Sequence, residues 1–261
     1  MAKAYLEQSG DVAELVVSAP PLNLFDNELI GDLEVAVSQI AARARTGDAR
    51  AALLRADGKV FCAGVDVHEF QGLSTVAGAH LMARFLAIVQ SVEGLPVPTL
   101  AVVHALNLTI GFELSLGCDL MWAAEGASFG LVEATVGLTP GGGGTQRLVA
   151  RAGVARAAEL VMTGDVYLAA EMHRWGVVNR VLPGDELLGR AREFAAQLAA
   201  GPTAATAIGK RLLLTARDHG VAAADAITPR ETGRIFATRD LEAGITSLLE
   251  QGPRKATFEG R

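Results

Sequence analysis

The chain is 261 residues long, half of them hydrophobic and a fifth charged, which is enough apolar content for a full core and excludes general disorder. A net charge of -6 excludes a broad nucleic-acid-binding face and leaves room only for a local basic patch around one anionic ligand. The two cysteines, Cys62 and Cys118, are too few and too far apart for a disulfide framework or a zinc site, so a reducing compartment fits best.

The opening MAKAYLEQSGDVAEL lacks the apolar stretch of a secretory signal, and a cytoplasmic location is expected. Glu14–Ala19 reads as a strand ending at the Pro20-Pro21 turn. Asp26 reads as a helix N-cap, followed by Leu29, Leu33, Val37 and Ile40 on one face. Ala52–Ala56 is a strand closed by Asp57-Gly58. His80 to Val92 reads as a helix with Leu81, Phe85 and Ile88 along one stripe; Met82, Phe85 and the neighbouring Leu81 line either an acyl channel or plain core. The uncharged segment from Gly94 to Phe112 contains Pro96, Pro98, His104 and Asn107. It reads as a buried strand and turn, not a membrane span. Thr99–Val103 and Asp119–Ala124 are further buried strands. Alternating strands and helices over the first part of the chain predict an α/β fold. Past Arg147 the chain turns alanine-rich and helical, at Leu148–Met162, Leu187–Ala200, Thr203–Ala216 and Thr238–Gln251. This predicts a core over residues 1–195 and a helical part over 196–261.

Three stretches carry candidate chemistry. In Gly58–Asp66, GKVFCAGVD, Gly64 allows a tight turn whose amides can face a ligand oxygen; an ordinary strand-to-helix turn fits as well. In Ile110–Asp119, IGFELSLGCD, Glu113 is the only charge between Glu93 and Asp119. A carboxylate among apolar residues is costly unless paired or protonated, and burial raises its pKa toward that of a general acid or base. A glutamate satisfied by free N–H groups at a helix start is the alternative. In Phe129–Pro140 Glu133 is again a lone acid. The glycines that follow, Gly141 to Gly144, resemble a phosphate cradle but lack its lysine; they read better as a loop of close backbone packing capped by Thr145. The five histidines are scattered, with no pair at metal spacing, and no metal is expected.

Taken together and in order, F-C-A-G-V-D, P-T-L-A-V-V, E-L-S-L-G-C-D, P-G-G-G-G-T-Q-R-L, M-T-G-D at Met162–Asp165 and G-V-V-N-R-V at Gly176–Val181 resemble the crotonase (enoyl-CoA hydratase/isomerase) superfamily, from about Asp11 to the closing F-E-G-R. The resemblance implies a crotonase-like spiral of ββα units, α/β in class, with a helical C-terminal trimerisation region. It implies a homotrimer or dimer of trimers acting on acyl-CoA thioesters. Coenzyme A is then part of the substrate, and no permanently bound cofactor is implied. Neither a nucleic acid nor a membrane is an expected partner.

By the same correspondence the amides of Val65 and Ile110 form an oxyanion hole, and Glu113 and Glu133 are the two acids of a hydratase. Ala63, Val65, Asp66, His68 and Gly111 fall along the CoA thioester. Enoyl-CoA hydration is the implied reaction. Enoyl-CoA isomerisation, decarboxylation or thioester hydrolysis in the same fold, or a catalytically silent CoA-binding scaffold, are the alternatives. The chain departs from the family where glycines usually precede the first glutamate: here it reads Thr109-Ile110-Gly111-Phe112. A β-branched residue such as Ile110 is disfavoured at positive φ, and Ile110 and Phe112 are expected to take space near the acyl group. His68 stands where many relatives have a lysine near the CoA. Arg230, Arg234 and Lys255 are candidates for the CoA phosphates.

Overall fold

The sheet begins with a strand that its sequence hides. In the computed structural model, which describes residues 2–260, β1 (Ala4–Ser9) pairs antiparallel with β2 (Val12–Val17), turning at Gly10 with φ +57°. β1 is half exposed at the sheet edge, so it shows no apolar run. Met1 and Arg261, the last residue of the F-E-G-R tail, lie outside the described residues.

From β2 the sheet continues parallel through β3 (Ala51–Ala56), β4 (Thr99–Val103), β6 (Leu120–Ala124) and β9 (Arg180–Leu182). β2, β3 and β4 are buried along their whole length, the expected state of parallel strands covered on both faces. A second sheet joins β5 (Asn107–Leu108), β7 (Ser128–Gly130) and β8 (Val166–Leu168). Strand–strand–helix units thus repeat along the chain, as the resemblance implied.

The helices follow their apolar stripes. α1 (Asn27–Thr46) starts where the Asp26 carboxylate accepts the Leu29 N–H at 2.8 Å, and it buries Leu29, Leu33, Val37 and Ile40 as expected. α2 (Thr75–Glu93) begins five residues before the expected His80. Ser74 caps it, and its first turn is exposed, so periodicity alone does not reveal the start. α2 is long and apolar enough to span a membrane by length and composition, but Leu81, Phe85, Ile88, Val89 and Val92 pack into the core. The uncharged segment from Gly94 forms β4, β5 and the start of α3 (Thr109–Leu116).

α4 (Gly144–Thr163) kinks at Gly153, and a short α5 (Ala169–Arg174) follows β8. α6 (Gly184–Ala199) lays Leu187, Ala191, Ala195 and Ala199 on the sheet at four-residue spacing. Arg192 on its outer edge and Arg55 of β3 both reach the buried carboxylate of Glu14, each at 2.7 Å. α7 (Thr203–His219), α8 (Val221–Gly233) and α9 (Arg239–Gln251) complete the helical C-terminal part; α8 was not foreseen. Lys210 ties α7 to the core, with Nζ 2.9 Å from Asp119 and 3.2 Å from the Val97 carbonyl. Cys62 and Cys118 are free and buried, and burial pushes both thiols up to about 12.

Candidate active site

The first stretch, residues 61–66, is laced on both flanks. On one side Ala63 N–H donates to Leu22, Phe25 N–H to the Gly64 carbonyl and Asp66 N–H to Phe25, at 2.9, 2.9 and 3.0 Å. On the other, Phe61 N–H donates to Leu106 and Leu108 N–H to Cys62, both at 2.9 Å. Val65 is the residue paired with Phe25 in a parallel bridge. In that pattern the bonds run through the residues before and after it, so the N–H of Val65 itself points away from Phe25. Gly64 has φ +120°, and a Cβ there would stand 3.0 Å from Thr109 Oγ1, so only glycine fits.

The second expected donor, the Ile110 amide, lies at the start of α3. Leu108 occupies its N-cap and offers no side-chain oxygen, so the first-turn amides have no intrahelical or capping acceptor. The Gly111 amide lies against the Cys62 sulfur. The Ile110 amide stays available. Asn107 Nδ2 donates to Ser115 Oγ, which donates to the Gly111 carbonyl, both at 2.9 Å, and this pins the helix to the strand that feeds it. Ile110 itself is helical. The positive φ that glycine would favour falls one residue earlier, at Thr109 with φ +49°. Thr109 Oγ1 is buried without a hydrogen-bond partner. Phe112 turns away into the core, where it tilts on Phe129 at 5.2 Å, so it takes no acyl space.

Glu113, one turn into α3, is 1% exposed. Its Oε1 accepts the Gly144 N–H at 2.8 Å and its Oε2 the Gly142 N–H at 3.0 Å. The glycine loop therefore packs closely, as expected, but against a carboxylate. A Cβ on Gly142 would stand 2.8 Å from Glu113 Oε2, and one on Gly144 2.8 Å from Glu113 Cγ. Thr145 does not cap α4; its N-cap is Gly143 in the left-handed region. Burial raises the Glu113 pKa, opposed by the two amides and more weakly by Arg147.

Glu133 sits in a short 3-10 turn, Val132–Val136, and is 9% exposed. Its Oε2 has no partner. Burial, aided by the Glu113 charge, pushes its pKa up to about 7 against the restraining effect of its own amide.

These groups meet around one cavity of about 140 Å³. Ala63, Gly64, Val65, Thr109, Ile110, Glu113 and Glu133 line it on the polar side. Met82 and Phe85 of α2, with Phe70, Val136 and Leu138, form apolar walls. Met82 thus lines the cavity, Phe85 serves both its wall and the core, and Leu81 is core alone. Asp66, His68 and Gly111 do not line it. Asp66 caps the 3-10 turn Val67–Phe70, His68 is exposed, and Gly111 is buried where a Cβ would stand 2.3 Å from that of Cys62. Arg230 and Arg234 point at the buried Glu231 with Arg211, at 3.0, 3.3 and 2.7 Å, and Lys255 lines a separate surface pocket with Arg239; none lines this cavity. Phe70, Val136, Leu138 and Thr139 were missed, because scattered loop residues carry no periodic signal. No group of three or more His, Cys, Asp or Glu suited to a metal occurs among the described residues.

The comparisons agree with this geometry. The family model described as enoyl-CoA hydratase/isomerase matches residues 7–261. The chain belongs to the enoyl-CoA hydratase/isomerase family. Among curated members it is 34% identical over 257 residues to a probable enoyl-CoA hydratase of Rhizobium meliloti, covering 98% of this chain and 97% of that one. It is 32% identical over 257 residues to a crotonyl-CoA hydratase of Syntrophomonas wolfei, covering 97% and 96%. Among solved structures, an enoyl-CoA hydratase from Bacillus anthracis superposes with a TM-score of 0.92 at 29% identity, covering 99% of this chain and 100% of that one. As a member of this family the chain has the crotonase fold over nearly its whole length. Thr109, with its φ of +49°, stands beside the cavity.

Proposed function

We propose that this protein adds water across the C2–C3 double bond of a 2-enoyl-CoA thioester. The observation that carries the reading is the meeting of two differently buried carboxylates and two free amides at one apolar cavity. The amides of Val65 and Ile110 receive the thioester oxygen. Glu113, whose two amide bonds favour its ionised form, holds water and takes its proton. The water oxygen bonds to C3, the double-bond electrons move to the thioester oxygen as an enolate, and Glu133 delivers a proton to C2. Transfer of the proton from Glu113 to Glu133, directly or through solvent, restores the start. Two preorganised donors on an enolate oxygen are each worth about 3 kcal/mol. Burial raises both carboxyls, and the two loop amides that oppose the rise at Glu113 support its role as the base.

The test is loss of enoyl-thioester absorbance with crotonyl-CoA and longer 2-enoyl-CoAs, wild type beside Glu113→Gln and Glu133→Gln. Turnover that both substitutions abolish supports hydration. Tight acyl-CoA binding without turnover at any chain length sinks it. Isomerisation is the second reading, favoured by Glu133 Oε2, a buried cavity carboxylate oxygen without a hydrogen-bond partner. An isomerase would keep most of its activity in Glu113→Gln.

Residues 1–195 serve in this reading as the catalytic core and 196–261 as the oligomerisation region, in a cytoplasmic homotrimer or dimer of trimers. The exposed side chains of Leu213, Phe236 and Leu249 support burial of α7 to α9 against other copies, which light scattering would test.

A further inference from the structure

The glycine loop that holds Glu113 is itself held. Arg147, 8% exposed at its side chain, donates from Nη1 to the Gly143 carbonyl at 3.2 Å. That carbonyl lies between the two amides bonded to Glu113. The same guanidinium grips Glu93, the last residue of α2, with both oxygens, at 3.1 and 2.6 Å. Glu93 Oε1 also accepts from Arg217 Nη1 of α7 at 2.5 Å. Arg217 pairs in turn with Asp218 at 2.6 and 2.9 Å.

The charges alternate along this chain, and side-chain exposure climbs from 8% at Arg147 through 13% at Glu93 and 32% at Arg217 to 45% at Asp218. A buried bidentate pair is geometrically exacting and costly to break from one side. Its outer half is screened and weaker. On α7, Arg217 lies seven residues after Lys210, two helical turns along the same face, and Lys210 holds Asp119. One face of α7 therefore grips the core at two charged points.

We propose that Glu93 and Arg217 are positioning residues that act through Arg147, setting the Gly142–Gly144 amides around Glu113 and coupling the seat of α7 to the catalytic step. This rests on the reading of Glu113 as the water-holding base. The strap works in two ways. It fixes where the two amides stand, and it sets how much of Arg147's positive charge reaches Glu113. The charged groups around Glu113 are Arg147, the Glu133 carboxylate, and, behind Arg147, Glu93, Arg217 and Asp218. Loss of Glu93 leaves Arg147 and Arg217 uncompensated, which favours ionised Glu113. Loss of Arg147 or Arg217 does the reverse.

The test is the pH profile of kcat with crotonyl-CoA for Glu93→Gln, Arg147→Gln, Arg217→Ala and Arg217→Lys, beside wild type and Glu113→Gln. Melting and acyl-CoA affinity of each variant serve as folding controls. In Glu93→Gln, kcat is expected to fall about tenfold, short of the about 10²-fold loss that a 1 Å misplacement brings, with KM little changed. Its acid limb moves to lower pH, whereas in Arg147→Gln and Arg217→Ala the limb moves to higher pH. Arg217→Ala costs about two- to fivefold, in keeping with partial exposure, and Arg217→Lys recovers most of it. Arg217→Ala keeps the buried pair intact, so it reads the strap even where Glu93→Gln does not fold. Wild-type kcat and an unmoved limb in these variants, or limbs that all move the same way, overturn the strap while an inactive Glu113→Gln leaves the assignment of the base standing. Turnover retained in Glu113→Gln overturns that assignment and the strap's purpose with it.

Discussion

Thr109 lies directly over Gly64, its Oγ1 3.0 Å and its Cγ2 3.5 Å from where a Cβ on that glycine would stand. The two residues sit next to the two proposed donors, Val65 following Gly64 and Ile110 following Thr109. The contact therefore joins the two peptide segments of the proposed oxyanion hole. It is made by a β-branched residue at φ +49°, a conformation that costs on the order of 1–3 kcal/mol.

Thr109→Gly is expected to raise stability by about 0.5–1 kcal/mol, the relief of strain exceeding the added freedom of the unfolded chain. The same change unlocks the two donors from each other, so kcat/KM falls. Thermal melting and hydratase kinetics on one preparation check both halves. A destabilised but fully active Thr109→Gly variant would contradict both.

Gly142→Ala and Gly144→Ala each place a methyl within 2.8 Å of Glu113. Overpacking of this kind costs about 1–3 kcal/mol, so the fold survives. The carboxylate has to move, and activity is expected to fall about 10²-fold, as for a misplaced catalytic group. Circular dichroism and kcat separate the two effects.

Activity is expected to be bell-shaped in pH. It requires Glu113 ionised, which gives the acid limb, and Glu133 protonated, which gives an alkaline limb near its pKa of about 7. The two carboxyls interact, so the limbs belong to the pair. Glu113→Gln and Glu133→Gln each lower kcat by about 10²–10⁴-fold, the usual worth of a positioned acid or base. A rate that keeps rising well past neutrality would remove Glu133 from the role of acid.

Stability carries the opposite face of the same burial. Glu133 titrates near its ordinary value of 4.5 when unfolded and at about 7 when folded. Between those values the folded chain holds a proton that the unfolded chain lacks, so stability falls as pH rises through the window. At about 1.36 kcal/mol per unit the loss is on the order of 3 kcal/mol. Urea titrations at several pH values check it: Glu133→Gln, which cannot ionise, is expected to show a shallower slope.

Much of this site was legible because charge is conspicuous in an apolar run. Glu113 and Glu133 stood out for that reason, and Gly64 stood out as a tight turn. Val65 and Ile110 came from the resemblance alone, since a backbone donor leaves no mark on composition. The partner of Glu113 was misplaced: free amides do satisfy it, but they come from Gly142 and Gly144, about thirty residues on, not from the start of its own helix. No local pattern encodes a contact at that separation. β1 stayed hidden as a half-exposed edge strand. α8 stayed hidden because Pro229 lies inside it and it buries only Ala224 and Glu231, leaving no apolar stripe.

The lacing of residues 61–66 has a consequence for solvent exchange. Ala63, Gly64 and Asp66 give their amide hydrogens to Leu22, the Cys62 sulfur and Phe25, while the intervening Val65 amide faces the other way. A single fast-exchanging hydrogen is then expected within a run of slow ones in the free protein, because the segment cannot open around it without breaking both flanks. Bound acyl-CoA would slow that one site. Deuterium uptake at Val65 thus becomes a reporter of oxyanion-hole occupancy that requires no turnover.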